Sequence, residues 1–259
     1  MTYCLGIVTR DGLVLASDRR TNAGLDQINK VRKMHIFEKP GDRVFIILSS
    51  GSLSCSQSII TLLKQDFDTG RGMASSDTFY DAVREVGNRV REVAELDREA
   101  LERDNFSFNV SLIVGGQIRN QPHQLYMVYP QGNPVRATEE CPFLQIGEVK
   151  YGRPILDRGV VYDKTTLCDA VKYALISLDS TMRSNLTVGP PIDLLKYSKD
   201  DLAIQDYRVF PEADKDLMGM RQEWENHLRL AVQDIPSIEF ERREPLANGD
   251  SPASVKSSG

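Results

Sequence analysis

The sequence is poor in the residues that mark most specialised classes of protein. It has one tryptophan and only three histidines, His35, His123 and His227, and its four cysteines, Cys4, Cys55, Cys141 and Cys168, stand apart with no Cys-x-x-Cys pair. Without a cysteine or histidine cluster no metal site is expected, and the thiols read as reduced core cysteines of a cytoplasmic protein. Lysine and arginine number 32 against 37 aspartates and glutamates, a net charge of −5, so the basic field that a nucleic-acid binder needs is missing. No apolar run approaches the ~18 residues of a membrane-spanning helix. The opening residues lack the basic stretch and apolar core of a secretory signal. There is no glycine-rich nucleotide-binding loop and no internal repeat, and no cofactor is expected.

What remains is an ordinary globular composition of 259 residues, 41% hydrophobic and 27% charged, enough for one substantial core. Tyr3–Val8 and Leu13–Ala16 read as a hairpin turning about Arg10-Asp11-Gly12. The second of these runs is continuously apolar, as befits a strand buried on both faces. Thr21–Gly24 reads as a loop, Val31–Phe37 and Arg43–Leu48 as strands, and Ser49–Ser52 as the break before a helix capped by Ser52 or Ser54. Asp77 is expected to cap a long helix with Phe79, Val83, Val86, Val90 and Val93 on one face, its charged end at Glu95–Asp104 solvated or fraying. Strands follow at Phe106–Val114, closed by a Gly115-Gly116 break, and at Gln124–Tyr129, Val135–Thr138 and Phe143–Ile146. A short helix to about residue 157 precedes a longer one opened by Asp163 or Thr165, then strands at Ile192–Tyr197 and Tyr207–Phe210 and a last helix at Asp214–Val232. Hairpins followed by helix pairs are not the alternation of a doubly wound sheet. They suit an α/β protein of the α+β kind, with two mainly antiparallel sheets between helix layers. The domain is expected to span residues 1–235, with 236–259 a polar, disordered extension.

The hairpin concentrates chemistry. A two-residue turn at Arg10-Asp11 or Asp11-Gly12 lands Thr2 opposite Arg19 or Thr21, so Asp18 and Arg20 fall near Thr2 in either register. A threonine hydroxyl needs a base to become a useful nucleophile. If Met1 is removed, the α-amine of Thr2 titrates at about 7.7–8.0 and is held on the same residue, so little ordering entropy is left to supply. A nearby cation depresses that amine by like-charge repulsion. Lys33 is the candidate cation, Asp18 the group that orients it, and Gly51, between a strand and a helix, a source of a backbone N–H for an oxyanion. Taken singly each residue has a plainer reading. Many chains begin Met-Thr, an aspartate at a strand end is usually a turn residue or a cap, and Lys33 beside Arg32 suits a solvated pair.

Together, Thr2, the segment Asp18-Arg19-Arg20-Thr21-Asn22-Ala23-Gly24, Lys33 and Ser50-Gly51 resemble, in order, the active-site positions of the proteasome β-subunit superfamily of N-terminal nucleophile hydrolases. The resemblance continues through Phe108–Gly116, Leu125-Tyr126, Pro130-Gln131-Gly132 and Ile146-Gly147 and covers about residues 2–232. Several strings, among them Arg20–Gly24, Lys33–Phe37 and Lys150-Tyr151-Gly152, look closest to the bacterial Anbu branch of ancestral-type β-subunits. The resemblance implies a four-layer αββα sandwich, a Thr2 nucleophile with Asp18, Lys33 and Gly51, and a homo-oligomer forming a ring or an open helical ring. It also implies a substrate pocket lined by Thr21, Val31, His35, Ser49 and Leu53, with Asn22 in place of the family's substrate-clamping threonine. Arg20 would brace Asp18 and its loop.

The departures lie in the supporting groups. Glu148 stands where the family carries a serine, and in Asp179–Asn185 the aspartate matches while the serine is displaced to Ser184 or absent. The leading expectation is a threonine peptidase. The alternatives are an amidase or transferase acting on a small amide with the same nucleophile, and a non-catalytic scaffold ring. Any energy-dependent unfolding of substrate would fall to a separate ATPase.

Overall fold

Seven-residue strands buried on both faces open the structure, a computed structural model that describes residues 2–22, 28–105 and 107–241. β1 (Tyr3–Thr9) and β2 (Gly12–Asp18) are buried along their whole length. They pair with Thr9 opposite Gly12 and Cys4 opposite Ser17, so the turn is Arg10-Asp11. Continued by two residues, that register sets Thr2 opposite Arg19, the first of the two expected alternatives.

A two-stranded ribbon follows, β3 (Arg20–Asn22) with β4 (Ile28–Lys30), where a loop was expected at the start of this segment. The strand expected from Val31 begins instead at Met34, as β5 (Met34–Lys39), because Val31 gives its N–H to Arg19 O at the ribbon's end. After β6 (Arg43–Gly51) come helix α1 (Leu53–Asp68), a 3₁₀ turn at Gly72–Ala74 and helix α2 (Phe79–Arg103). Ser52 is the N-cap of α1 without a side-chain bond to the helix backbone, its hydroxyl lying 3.2 Å from that of Ser54, which is inside the helix. Thr78, not Asp77, caps α2. Its Oγ1 accepts from Asp81 N at 3.1 Å and donates to Asp81 Oδ2 at 2.6 Å, a reciprocal cap readable as Thr-x-x-Asp. The same pattern at Thr166 and Asp169 caps the fourth helix, displacing the expected starts at Asp163 and Thr165. The charged end of α2 stays helical to Arg103, with Glu95–Arg98 and Glu99–Arg103 pairs along it.

β7 (Val110–Ile118) begins later than expected and runs straight through the two glycines. Gly116 has φ +149°, and a Cβ there would lie 2.0 Å from Val44 O. These glycines allow close approach between strands, not a break. Phe106, in the expected strand, lies outside the described residues. The remaining elements are β8 (Gln124–Val128), β9 (Pro134–Arg136), β10 (Phe143–Gly147), α3 (Arg153–Gly159), α4 (Leu167–Ser184), β11 (Ile192–Ser198), β12 (Asp206–Phe210) and α5 (Lys215–Gln233).

The strands form two five-stranded antiparallel sheets, ordered β10-β1-β2-β11-β12 and β5-β6-β7-β8-β9. Alternation along the strands separates three apolar layers. Leu13, Leu15, Ile46, Leu48 and Ile113 lie between the sheets. Leu5, Ile7, Val14 and Ala16 face Leu156, Ala174 and Leu178 of α3 and α4. Phe45, Ile47 and Val114 face Ile59 of α1 and Phe79, Val83 and Val90 of α2. The architecture is therefore the αββα sandwich.

The chain divides into two units, Met1–Gln222 and Glu223–Gly259. The first contains every strand described. The second contains the C-terminal part of α5 and irregular chain to Glu241, and the rest of the expected extension at 236–259 lies outside the described residues. Among the described residues, no helix is long and apolar enough to cross a membrane.

Candidate active site

One end of the sandwich gathers Thr2, Asp18, Lys33 and Glu148. Asp18 closes β2 and is fully buried. Its Oδ1 accepts from Lys33 Nζ at 2.7 Å and from the N–H of Tyr3, the residue after Thr2, at 3.0 Å, and its Oδ2 accepts from Gly189 N at 3.3 Å. Burial pushes the Asp18 carboxyl up, and the Lys33 ammonium with the two backbone donors opposes it. Lys33, 5% exposed, also donates to Arg20 O at 2.6 Å. The solvated-pair reading of Arg32-Lys33 therefore holds for exposed Arg32 and fails for Lys33.

Thr2 is held through its backbone and its neighbour. Its carbonyl accepts from Glu148 N at 2.8 Å. Gly147, at φ +87°, permits this approach, since a Cβ there would sit 2.0 Å from Thr2 O. The Tyr3 ring is buried beneath α4, with its hydroxyl 2.7 Å from Ser177 Oγ and bonded to Gln145 Nε2. Burial raises that phenol to about 12, so it stays a neutral anchor.

Gly51 ends β6 at φ +104°, with no room for a Cβ, which would lie 1.9 Å from Asn109 O. It shares a small cavity with Thr21, Val31, Lys33, His35, Ser49 and Leu53, and Arg32, Ser50, Ser56 and Gln57 complete the lining. Thus the expected pocket residues with described side chains come together. The side chain of Asn22 lies outside the described residues. The cavity is small, ≈ 40 Å³, room for a few waters at the ~10–15 Å³ that each needs, so as it stands it suits a small group. His35 belongs to this lining and is part-buried, not a surface strand residue. Burial, helped by Arg32 and opposed by Asp193, pushes its imidazole down to about 4.

That shift has a sign. A histidine held neutral in the folded state refuses a proton that the unfolded chain accepts, so its contribution to stability falls as pH drops from about 6.5 towards about 4. His35→Asn is expected to flatten the pH dependence of stability within that window. Urea midpoints measured across it provide the check, and an unaltered slope would count against the burial of His35.

The supporting residues are distributed differently from the sequence expectation. Arg20 donates to Leu186 O at 2.7 Å, and its guanidinium lies against Gly189. It therefore braces the loop that delivers Gly189 N to Asp18. Glu148 is buried, and its Oε2 accepts from Asn185 Nδ2 at 3.0 Å. Asp179 is buried in α4 but turned to Arg221, at 2.5 Å, and Arg183, at 3.4 Å. Ser184 is the exposed last residue of α4. Sequence reasoning did not single out Asn185 or Gly189. The Gly-Pro-Pro string at 189–191 signals a turn, but nothing local says where that turn points. Among the described residues, no group of three potential ligands is placed to hold a metal ion.

Comparison with known proteins agrees with this fold. A family model described as "Proteasome subunit" matches residues 2–195. The proteasome subunit beta of Archaeoglobus fulgidus is 25% identical over 223 residues, covering 84% of this chain and 93% of that protein. The solved structure of Anbu (ancestral beta-subunit) from Yersinia bercovieri superposes with a TM-score of 0.86 at 39% identity, covering 93% of this chain and 100% of that one. The helical assembly of the Anbu complex from Pseudomonas aeruginosa gives 0.83 at 42% identity, over 92% and 98%.

Proposed function

The chain belongs to the proteasome subunit family, and from that premise we propose that it is an N-terminal threonine hydrolase, a peptidase of the β-subunit type working within a homo-oligomer. The observation that carries this reading is the buried Lys33–Asp18 pair, bonded at 2.7 Å, whose carboxylate also holds the N–H next to Thr2. With Met1 removed, Thr2 Oγ adds to the carbonyl carbon of the scissile amide and its proton passes to the α-amine. Gly51 N–H stabilises the oxyanion. The C–N bond then breaks, and the leaving nitrogen takes that proton. Water adds to the acyl ester, again giving a proton to the α-amine. The acid is released as that proton returns to Thr2 Oγ.

Lys33 favours the unprotonated amine by like-charge repulsion and stabilises negative charge developing on Oγ. Asp18 fixes Lys33, while Arg20 holds the 186–189 loop that touches Asp18. The P. aeruginosa relative's helical assembly supports a homo-oligomer, ring or open helix, for this chain. Four unpaired cysteines suit a cytoplasmic setting. Delivery of folded substrates would need a separate ATPase. The ≈ 40 Å³ pocket favours a second reading on the same nucleophile, an amidase or transferase on a small amide.

Intact mass of the purified protein is the first test, with loss of Met1 expected. A peptide vinyl sulfone should then add once, at Thr2 in the peptide map. Retained Met1 would falsify the mechanism, because an acylated nitrogen cannot act as the base. Turnover of small amides without turnover of peptides would select the second reading.

A further inference from the structure

Asn185 joins two parts of the site that lie far apart in sequence. Its Nδ2 donates to Glu148 Oε2 at 3.0 Å. Its Oδ1 accepts from Thr187 N at 3.0 Å and Thr187 Oγ1 at 2.6 Å, shaping the loop whose Gly189 N reaches Asp18. Glu148 N is bonded to Thr2 O directly beyond the Tyr3↔Gly147 pair of β1 and β10. Glu148, whose carboxylate is buried and clamped by an amide, is therefore a direct backbone neighbour of the residue whose nitrogen is to act as base.

Resting on the assignment of Thr2 as nucleophile, we propose that Glu148 and Asn185 form a device that sets the proton affinity of the Thr2 α-amine. Glu148 supplies a negative charge that favours the ammonium, and Asn185 is the positioning residue that keeps that charge in place. The effect opposes that of Lys33. The amine takes up the Oγ proton during attack, and Glu148 stabilises the ammonium so formed, at the cost of a smaller fraction of free amine at rest. The other charged or titratable groups around it are Asp18 on β2, Lys33 ahead of β5, and Tyr3 and Cys4 on its own strand. Farther out are Arg20 on β3, bonded to Leu186 O at 2.7 Å, Arg19, bonded to Asp193 at 2.8 Å, and Asp179 with Arg183 and Arg221 on α4 and α5. Of these, Glu148 alone is a carboxylate bonded through its own backbone to Thr2.

The test uses the full chain with Met1 removed. Competitive acetylation followed by mass spectrometry reads the titration of the α-amine directly, and vinyl sulfone labelling across pH reads its use as a base. Glu148→Gln is expected to move both midpoints down by about one pH unit. Below the midpoint it would then label faster than the parent, by up to about tenfold, an effect that mere loss of structure does not produce. Asn185→Ala should shift both midpoints the same way by less. Glu148→Ser removes the charge with less bulk and serves if the glutamine variant fails to fold. An unmoved amine titration in a folded Glu148 variant overturns the proposal, even where labelling persists. An unmoved titration in Asn185→Ala overturns the part given to Asn185. A moved titration with no labelling of the parent sinks only the nucleophile assignment, whereas retained Met1 overturns both.

Discussion

Lys33→Ala is expected to abolish labelling of Thr2, with a rate loss of about 10³-fold, the middle of the range for removing a group that supports proton transfer. The reason lies in what surrounds the ammonium. Lys33 Nζ bonds Asp18 Oδ1 at 2.7 Å and Arg20 O at 2.6 Å. Its direction is thus fixed from two elements, and alanine leaves no cation in its place. Stability should suffer too. Breaking a buried pair by removing one partner typically costs about 3–5 kcal/mol, and Asp18 is fully buried. The N–H groups of Tyr3 and Gly189 soften that cost, and Asp18 can take up a proton more readily because burial already raises it. Asp18→Asn added to Lys33→Ala should recover much of the stability and none of the labelling. Urea unfolding and label incorporation, measured on the single and double variants, separate the two effects. Undiminished labelling in Lys33→Ala would remove Lys33 from the mechanism.

The second large effect is expected at a residue with no side chain. Gly147→Ala places a Cβ 2.0 Å from Thr2 O on a backbone at φ +87°. An L side chain in that region is strained by about 1–3 kcal/mol, and the steric conflict is with backbone, so β10 or Thr2 must move. The Glu148 N to Thr2 O bond of 2.8 Å is the contact that must give. A 1 Å displacement of a reacting group costs about 10²-fold in rate, so labelling should fall by that order while Tyr3 and Asp18 remain in place. Near-normal labelling in Gly147→Ala would mean that this bond does not position the nucleophile. Gly70→Ala, at φ +76° but with nothing within 4 Å of the added Cβ, controls for strain alone.

The two glycine-rich stretches show why local reading succeeds in one place and fails in another. Arg10-Asp11-Gly12 announces a turn because the flanking runs are apolar and the pairing is local, and the register follows. Gly115-Gly116 carries the same local signal yet lies inside β7, because the glycines answer to Val44 and Leu125 on neighbouring strands. The helix starts at Thr78 and Thr166 were legible as Thr-x-x-Asp, and weighting the preceding aspartate or threonine set the expected starts too early. The late start of β5 was not legible, since it depends on the ribbon that β3 and β4 make.

By itself the sequence determined the αββα arrangement, through strands apolar on both faces and helices apolar on one. It also brought Asp18 and Arg20 near Thr2, because a short hairpin leaves few registers, whereas Lys33 and Gly51 were joined to them only through the family resemblance. Only the tertiary structure decided what supports them. Asp179 turns to Arg221, Ser184 faces solvent, and Asn185 takes the bond to Glu148. Those contacts span 37 to 42 residues of chain. They depend on how α4 ends against β10 and α5, which no local propensity encodes.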